Sequence, residues 1–378
     1  GGVPLELSGR LGTFIGLINA TSVEHQLSGK LGNIEFTTNG SIADLATLGG
    51  ADLTARVGGD ELTVVAEFLD HPRLPVGSFY ADLAVRPAAA GSHLELDASA
   101  GDITAKVTGV VDSLVKPTTL DVTVAASGTD ISKIGSLAGV EDLPEESLSV
   151  SGRVHWAGFP LTCDNIEIRI GKNSLSAHGV VGEPPLMLGT DFSFDGGGPD
   201  FSTIAALAGR NVPREPYTVT GRLVRHQHGI GGEKIVLEVG DITFEADGVV
   251  GDPPEYDGTA LTFRGNGPDL ARLQSLVGIE LPSEPFEVGG RLVKGGGAID
   301  LDAVRASVGG TTLQISGQLS AQPGLVGTDL RLEAEGPDAS QLAAIADVPS
   351  VPAEAFRVDG GIRVLDTGSP PSRISSTP

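Results

Sequence analysis

Apolar side chains recur at every second position in four successive runs between residues 286 and 334. Phe286, Val288, Gly290 and Leu292 form the first run, and Val304, Ala306 and Val308 the second. Leu313, Ile315, Gly317 and Leu319 form the third, and Leu330, Leu332 and Ala334 the fourth. Glu287, Arg291, Arg305, Ser307, Gln314, Ser316, Arg331 and Glu333 occupy the alternate positions. This pattern predicts four strands of a sheet with one apolar and one wet face. Turns at Gly295-Gly296-Gly297 and Gly309-Gly310 are short, so consecutive strands are antiparallel neighbours. Just upstream the period changes. Leu270, Leu273, Leu276 and Val277 have helical spacing behind Asp269, an N-cap whose carboxylate accepts free backbone N–H groups. Gly278 and Pro282 end this helix after about two turns, too few to be stable unless docked.

The same helix-plus-four-strand pattern recurs along the chain. Asp60, Asp130, Asp200, Asp269 and Asp338 open successive copies, each about 70 residues after the last. Gly40, Gly109, Gly179, Gly248 and Gly317 keep the same step, as do Gly152, Gly221, Gly290 and Gly360. Ile204, Leu207 and Ala208 repeat the helical stripe, stopped by Gly209 and Pro213. The chain therefore divides into a partial repeat 1–59, repeats 60–129, 130–199, 200–268 and 269–337, and a truncated repeat with a disordered-looking tail, 338–378.

The expected fold is mainly β with short helices: an elongated, twisted, curled antiparallel sheet, a trough-like or taco-like repeat solenoid. At about 4.8 Å per strand, some five repeats make a ribbon on the order of 90–100 Å long, and a sheet of that many strands must curl or split. In the third repeat the predicted apolar lining is Leu148, Val150, Val154, Ile166, Ile168, Ile170, Leu175, Val181, Phe192 and Phe194. In the fourth it is Tyr217, Val219, Leu223, Ile235, Leu237, Val239, Phe244, Val250, Leu261 and Phe263. In the fifth it is Phe286, Val288, Leu292, Val304, Val308, Leu313, Ile315, Leu319, Leu330 and Leu332. One short helix offers too few apolar groups to cover such a set. Two readings stay open: the sheet folds over and fills itself, or the lining stays partly open and meets a ligand.

Composition narrows the ligand. The lining is aliphatic, and the whole chain has one Trp, one Met and three Tyr, which suits hydrocarbon chains better than flat rings. Moving an acyl chain through water costs about 0.8 kcal/mol per CH₂, so an aliphatic trough would remove roughly 12 kcal/mol for a C16 chain. A net charge of −24 excludes a nucleic-acid partner, which needs a basic stripe, and disfavours an anionic lipid surface. No apolar run is long enough to span a bilayer as a helix. The start at Gly-Gly and the Ser/Pro-rich end, Ser369 to Pro378, read as a fragment cut from something longer, which leaves room for a membrane anchor on the missing part.

Local chemistry is sparse. Cys163 is the single cysteine and reads as a small packed side chain rather than a nucleophile. His226 and His228 share a strand face but lack an evident third metal ligand, and read as a solvated turn. Asp300 and Asp302 are too few oxygens for calcium. Gly265 to Asp269 is turn plus N-cap, and Trp156 a packing or rim residue. Arg153, Arg222 and Arg291 follow the strand-one glycine on the wet face, as ion pairs or as head-group contacts. No catalytic set, metal or cofactor is expected.

Asp269-Leu270 through Leu281-Pro282, Phe286 to Leu292 and Thr312 to Leu319 together resemble the AsmA-like repeat of the AsmA/TamB/YhdP superfamily of Gram-negative envelope proteins. The resemblance is best over 130–337 and weakest in 1–60. It implies a periplasmic β-trough tethered to the inner membrane through an N-terminal helix absent from this chain. It also implies a non-enzymatic bridge that shields phospholipid acyl chains between inner and outer membranes. The alternatives are an envelope-spanning structural or assembly factor for outer-membrane proteins, and a closed-core extracellular β-repeat protein.

Overall fold

A computed structural model of the chain describes residues 4–12, 23–61, 77–132, 143–207, 212, 214–274, 281–340 and 352–365. The chain divides into two units, 1–214 and 215–378. In the first unit the opening strands are β1 (Leu5–Leu11), β2 (Val23–Leu31), β3 (Ile34–Ile42) and β4 (Asp52–Gly59). Next come β5 (Phe79–Ala88), β6 (Gly91–Ala100), β7 (Ile103–Val111) and β8 (Leu120–Gly128). Then follow β9 (Leu148–Trp156), β10 (Leu161–Ile170), β11 (Asn173–Val181), β12 (Asp191–Gly198) and the helix α1 (Phe201–Leu207). The second unit holds β13 (Tyr217–His226), β14 (Gly229–Val239), β15 (Ile242–Gly251) and β16 (Ala260–Gly267). It continues with β17 (Phe286–Gly295), β18 (Ala298–Val308), β19 (Thr311–Ser320), β20 (Asp329–Gly336) and β21 (Phe356–Arg363). Within each unit every strand pairs antiparallel with the next in chain order. The sheet is not closed: among the described residues β1 pairs only with β2, and β21 only with β20.

The strands that open successive groups of four begin at Phe79, Leu148, Tyr217, Phe286 and Phe356, so the period of the sequence is also the period of the sheet. An aspartate follows each group and caps the next turn. Asp130 accepts from the backbone N–H of Ser132 at 2.9 Å, Asp200 from Ser202 at 3.0 Å, Asp269 from Ala271 at 3.0 Å and Asp338 from Ser340 at 2.9 Å. After Asp269 the segment begins as a 3₁₀ turn, Leu270–Leu273, where helical spacing predicted α-helix. The N–H of Leu270 is taken by the carbonyl of Glu284 at 2.9 Å, which ties this tight turn to the entry of β17. Ala208, Gly209, Pro213, Leu276, Val277, Gly278 and the 369–378 tail lie outside the described residues.

Two backbone devices shape the sheet. At Gly179, Gly248 and Gly317 φ is +150°, +134° and +116°. A Cβ there would lie 2.0, 2.0 and 2.3 Å from a carbonyl oxygen of the adjoining strand, so only glycine fits. The second device is a β-bulge in β10, β14 and β18, with Asn165, Lys234 and Ala303 at φ 51°, 49° and 50°, one in each successive repeat. Gly152 and Gly290 face these bulges, and a Cβ on them would strike Ile166 Cδ1 at 2.2 Å and Val304 Cα at 2.7 Å.

The buried core is thin. In the second unit Tyr217, Ile242 and Phe286 are buried at the first positions of β13, β15 and β17, and Ala334 lies inside β20. The rest of the apolar face is mostly half-buried.

Candidate functional site

The register gathers the predicted lining on one face of each unit. In the first unit Leu148 stands opposite Ile170, Val150 opposite Ile168, and Val154 opposite Cys163. Ile168 faces Leu175, Ile166 faces Ala177, and Val181 faces Leu161. Phe192 and Phe194 stand opposite Gly179 and Ala177. In the second unit Tyr217 faces Val239, Val219 faces Leu237, and Leu237 faces Phe244. Ile235 meets Ala246, which meets Phe263, while Val250 faces Ile230. Leu261 faces Leu292, and Phe286 faces Val308. Val288 leads through Ala306 to Leu313, and Val304 through Ile315 to Leu332. Leu319 faces Ile299, and Leu330 faces Gly317. Tyr217 and Phe286 are buried, Leu223 and Val250 are exposed at 42% and 40%, and the remaining predicted positions are half-buried. The described helical segments, α1 in one unit and Leu270–Leu273 in the other, are too short to cover these faces.

The opposite face is an ion-pair lattice. The Arg153 guanidinium donates to both carboxylate oxygens of Asp121 at 2.7 and 2.6 Å, and this hydrogen bonding holds the Asp121 carboxyl below the usual range. Arg222 pairs with Glu233 at 2.8 Å, and Arg331 with Asp359 at 3.3 Å. Arg291 stands across from Asp302 and Thr262 on the same face. Asp300 accepts from Gln318 at 3.2 Å.

A hollow of about 1300 Å³ crosses the middle of β14 to β21 in the second unit. Its charged lining comes from the polar face: Glu245, Arg264, Glu287, Arg305, Glu333 and Arg357 among others. The sequence led us to expect the hollow on the aliphatic side. A bulge bends its strand and sharpens the right-handed twist, so a bulged sheet is saddle-shaped and offers a concavity on either face. The bulge residues Lys234 and Ala303 both line this hollow.

The remaining candidates stay apart from one another. Cys163 is buried on the apolar face, and burial, followed by the charge of Asp164, pushes its thiol pKa up, away from nucleophilic thiolate. His226 is exposed at the end of β13. Among the described residues no group of three His, Cys, Asp or Glu is placed to hold a metal, and no helix is long and apolar enough to cross a membrane.

Sequence reasoning missed two cations that share the apolar face. Arg225 follows Leu223 by two positions and Lys294 follows Leu292 by two, so each points with the lining at the end of its strand. Strand parity alone could have found them. Arg225 donates to both carboxylate oxygens of Asp252, at 2.5 and 3.2 Å. The Lys294 ammonium lies over the Tyr256 ring, 5.6 Å from its centroid.

No family model, curated protein or solved structure matches the chain.

Proposed function

We propose that this chain is a non-enzymatic carrier surface for phospholipid or another acyl-chain lipid, part of a bridge that shields hydrocarbon between two membranes. The observation that carries the proposal is the half-buried aliphatic face, which runs strand after strand within each unit while few of its positions are buried. An apolar surface this extended is costly in water, and a flexible acyl chain is the ligand that matches its aliphatic, ring-poor lining. The residue pattern shared with the AsmA-like repeat supports the same reading and adds a periplasmic setting, with anchorage to the inner membrane through a separate segment.

The test is photo-crosslinking from single positions of one strand. Leu313 and Ile315 belong to the apolar face and Gln314 to the polar face. Lipid adducts are expected from the first two and not from Gln314. Val288→Asp, which places an unpaired carboxylate among apolar neighbours, should cut co-purifying lipid while far-ultraviolet circular dichroism still reports β-structure. Absence of lipid from the purified chain and of adducts at Leu313 and Ile315 would refute the proposal. The polar hollow favours a second reading, contact with an envelope protein. Protein adducts at Gln314 without lipid adducts at its neighbours would select that one.

A further inference from the structure

The last apolar-face position of the opening strand in three consecutive repeats is Trp156, Arg225 and Lys294, each one full period after the one before. All three side chains donate hydrogen bonds and none accepts them. In a chain of net charge −24 this is a selective placement. Arg225 is answered by Asp252. The other two are not answered among the described residues. The indole N–H of Trp156 is buried without an acceptor, its ring packed edge-on to Phe159 at 6.4 Å. Lys294 is half-buried, with the Tyr256 ring as its described side-chain contact. Its backbone is clamped, accepting from Gly258 at 2.9 Å and donating to the carbonyl of Thr259 at 2.8 Å. The side chain leaves this clamped backbone on the face of Leu292, and its ammonium lies over Tyr256 at the border of an aliphatic face. The buried Trp156 N–H without an acceptor is costly unless a ligand supplies one, and a cation beside an aliphatic face is best matched by a ligand that brings both an acyl chain and the opposite charge.

We infer that Lys294 is a head-group site: it takes the phosphate of an anionic amphiphile whose acyl chain lies on the apolar face beside Leu292 and Ile299, with Trp156 marking the equivalent position of the first unit. The inference rests on the lipid-carrier reading and adds which way round the lipid lies, phosphate at the strand end and chain toward mid-strand. Charge complementarity selects the occupant. A neutral lipid would leave the ammonium facing hydrocarbon, whereas a phosphate offers several acceptor oxygens and the opposite charge.

The test compares two probes that differ only in the phosphate, 1-myristoyl lysophosphatidate and 1-monomyristoylglycerol. Each competes with a fluorescent acyl probe for the tightest site of the full chain. The wild type should prefer the phosphate-bearing lipid by roughly tenfold, the gain of one charge-assisted hydrogen bond. Lys294→Gln should remove that preference while affinity for the monoacylglycerol stays the same, and Lys294→Arg should keep it. Lys234→Gln, a polar-face control, should change neither. Equal binding of the two lipids by the wild type, or an unchanged preference in Lys294→Gln, overturns the head-group site and leaves the carrier reading standing. Binding of neither lipid overturns both.

Discussion

At the residue scale, the strongest constraints are steric. Gly248 sits at φ +134° with the Ala260 carbonyl where a Cβ would go, whereas Gly295 has open space around its Cα and no such φ. Gly248→Ala should therefore cost on the order of 3 kcal/mol in urea unfolding, and Gly295→Ala should stay within about 0.5 kcal/mol. Equal costs would show that the recurring glycine is not there for backbone approach. Carboxylates show the same local logic in charge. The Thr118 hydroxyl and the backbone N–H groups of Thr119 and Thr118 donate to Asp112 and hold its carboxyl down at about 2. A depressed pKa stabilises the fold above the unfolded value near 3.9, and that contribution is lost as pH falls toward 2. The Thr119 amide resonance should thus titrate with a midpoint near 2 and not near the ordinary value, and Asp112→Asn should abolish the titration. The recurring glycines were visible in the sequence as spacing alone. The reason for them, a neighbouring carbonyl standing where a Cβ would go, exists only once strands pair.

At the element scale, alternation carries most of the information. Period two was sufficient to put Val288, Ala306, Leu313 and Ala334 in one row, and the register does so. Parity is also where the reading stopped short. Leu301 belongs to the apolar face with Leu292 and Gly317, yet Val304 belongs to it too, three positions later. An odd step between two apolar positions is the mark of a bulge, and Asp302-Ala303 supplies it. Read that way, the sequence also announces Asn165 and Lys234. The helices were less legible. Asp269 caps its turn as expected, and the Glu284 carbonyl, arriving from the entry of the next strand, takes the N–H of Leu270, a partner that local spacing does not announce.

At the scale of the whole molecule, stability should be distributed as in other repeat proteins, each strand leaning on its neighbours. The segment 286–355 is one full period, from the start of β17 to the start of β21. Excising it should leave β16 to pair with β21, because Phe356 then follows residue 285 as Phe286 does now. The shortened chain should keep its β-sheet circular dichroism and cooperative unfolding. A deletion of 286–320, half a period, should lose both, since it joins β16 to a strand whose direction and apolar face no longer match. Loss of cooperativity in both deletions would argue for a non-local core in place of a repeating one.

By itself the sequence determined the period, the order of helix and strands, and which residues share a face, because these follow from local spacing and from the two-residue alternation of a strand. It also determined that the shared face is aliphatic and the opposite face charged. Tertiary structure decided what spacing cannot express. It placed the hollow of the second unit against the polar face, since curvature arises from twist and bulges summed over many strands. It left the mid-strand rows half-buried, since cover depends on what packs above them. And it set Lys294 over Tyr256 at the border of the apolar face, since the loop between β15 and β16 had to meet the far end of β17, a neighbour in the sheet but not in the chain.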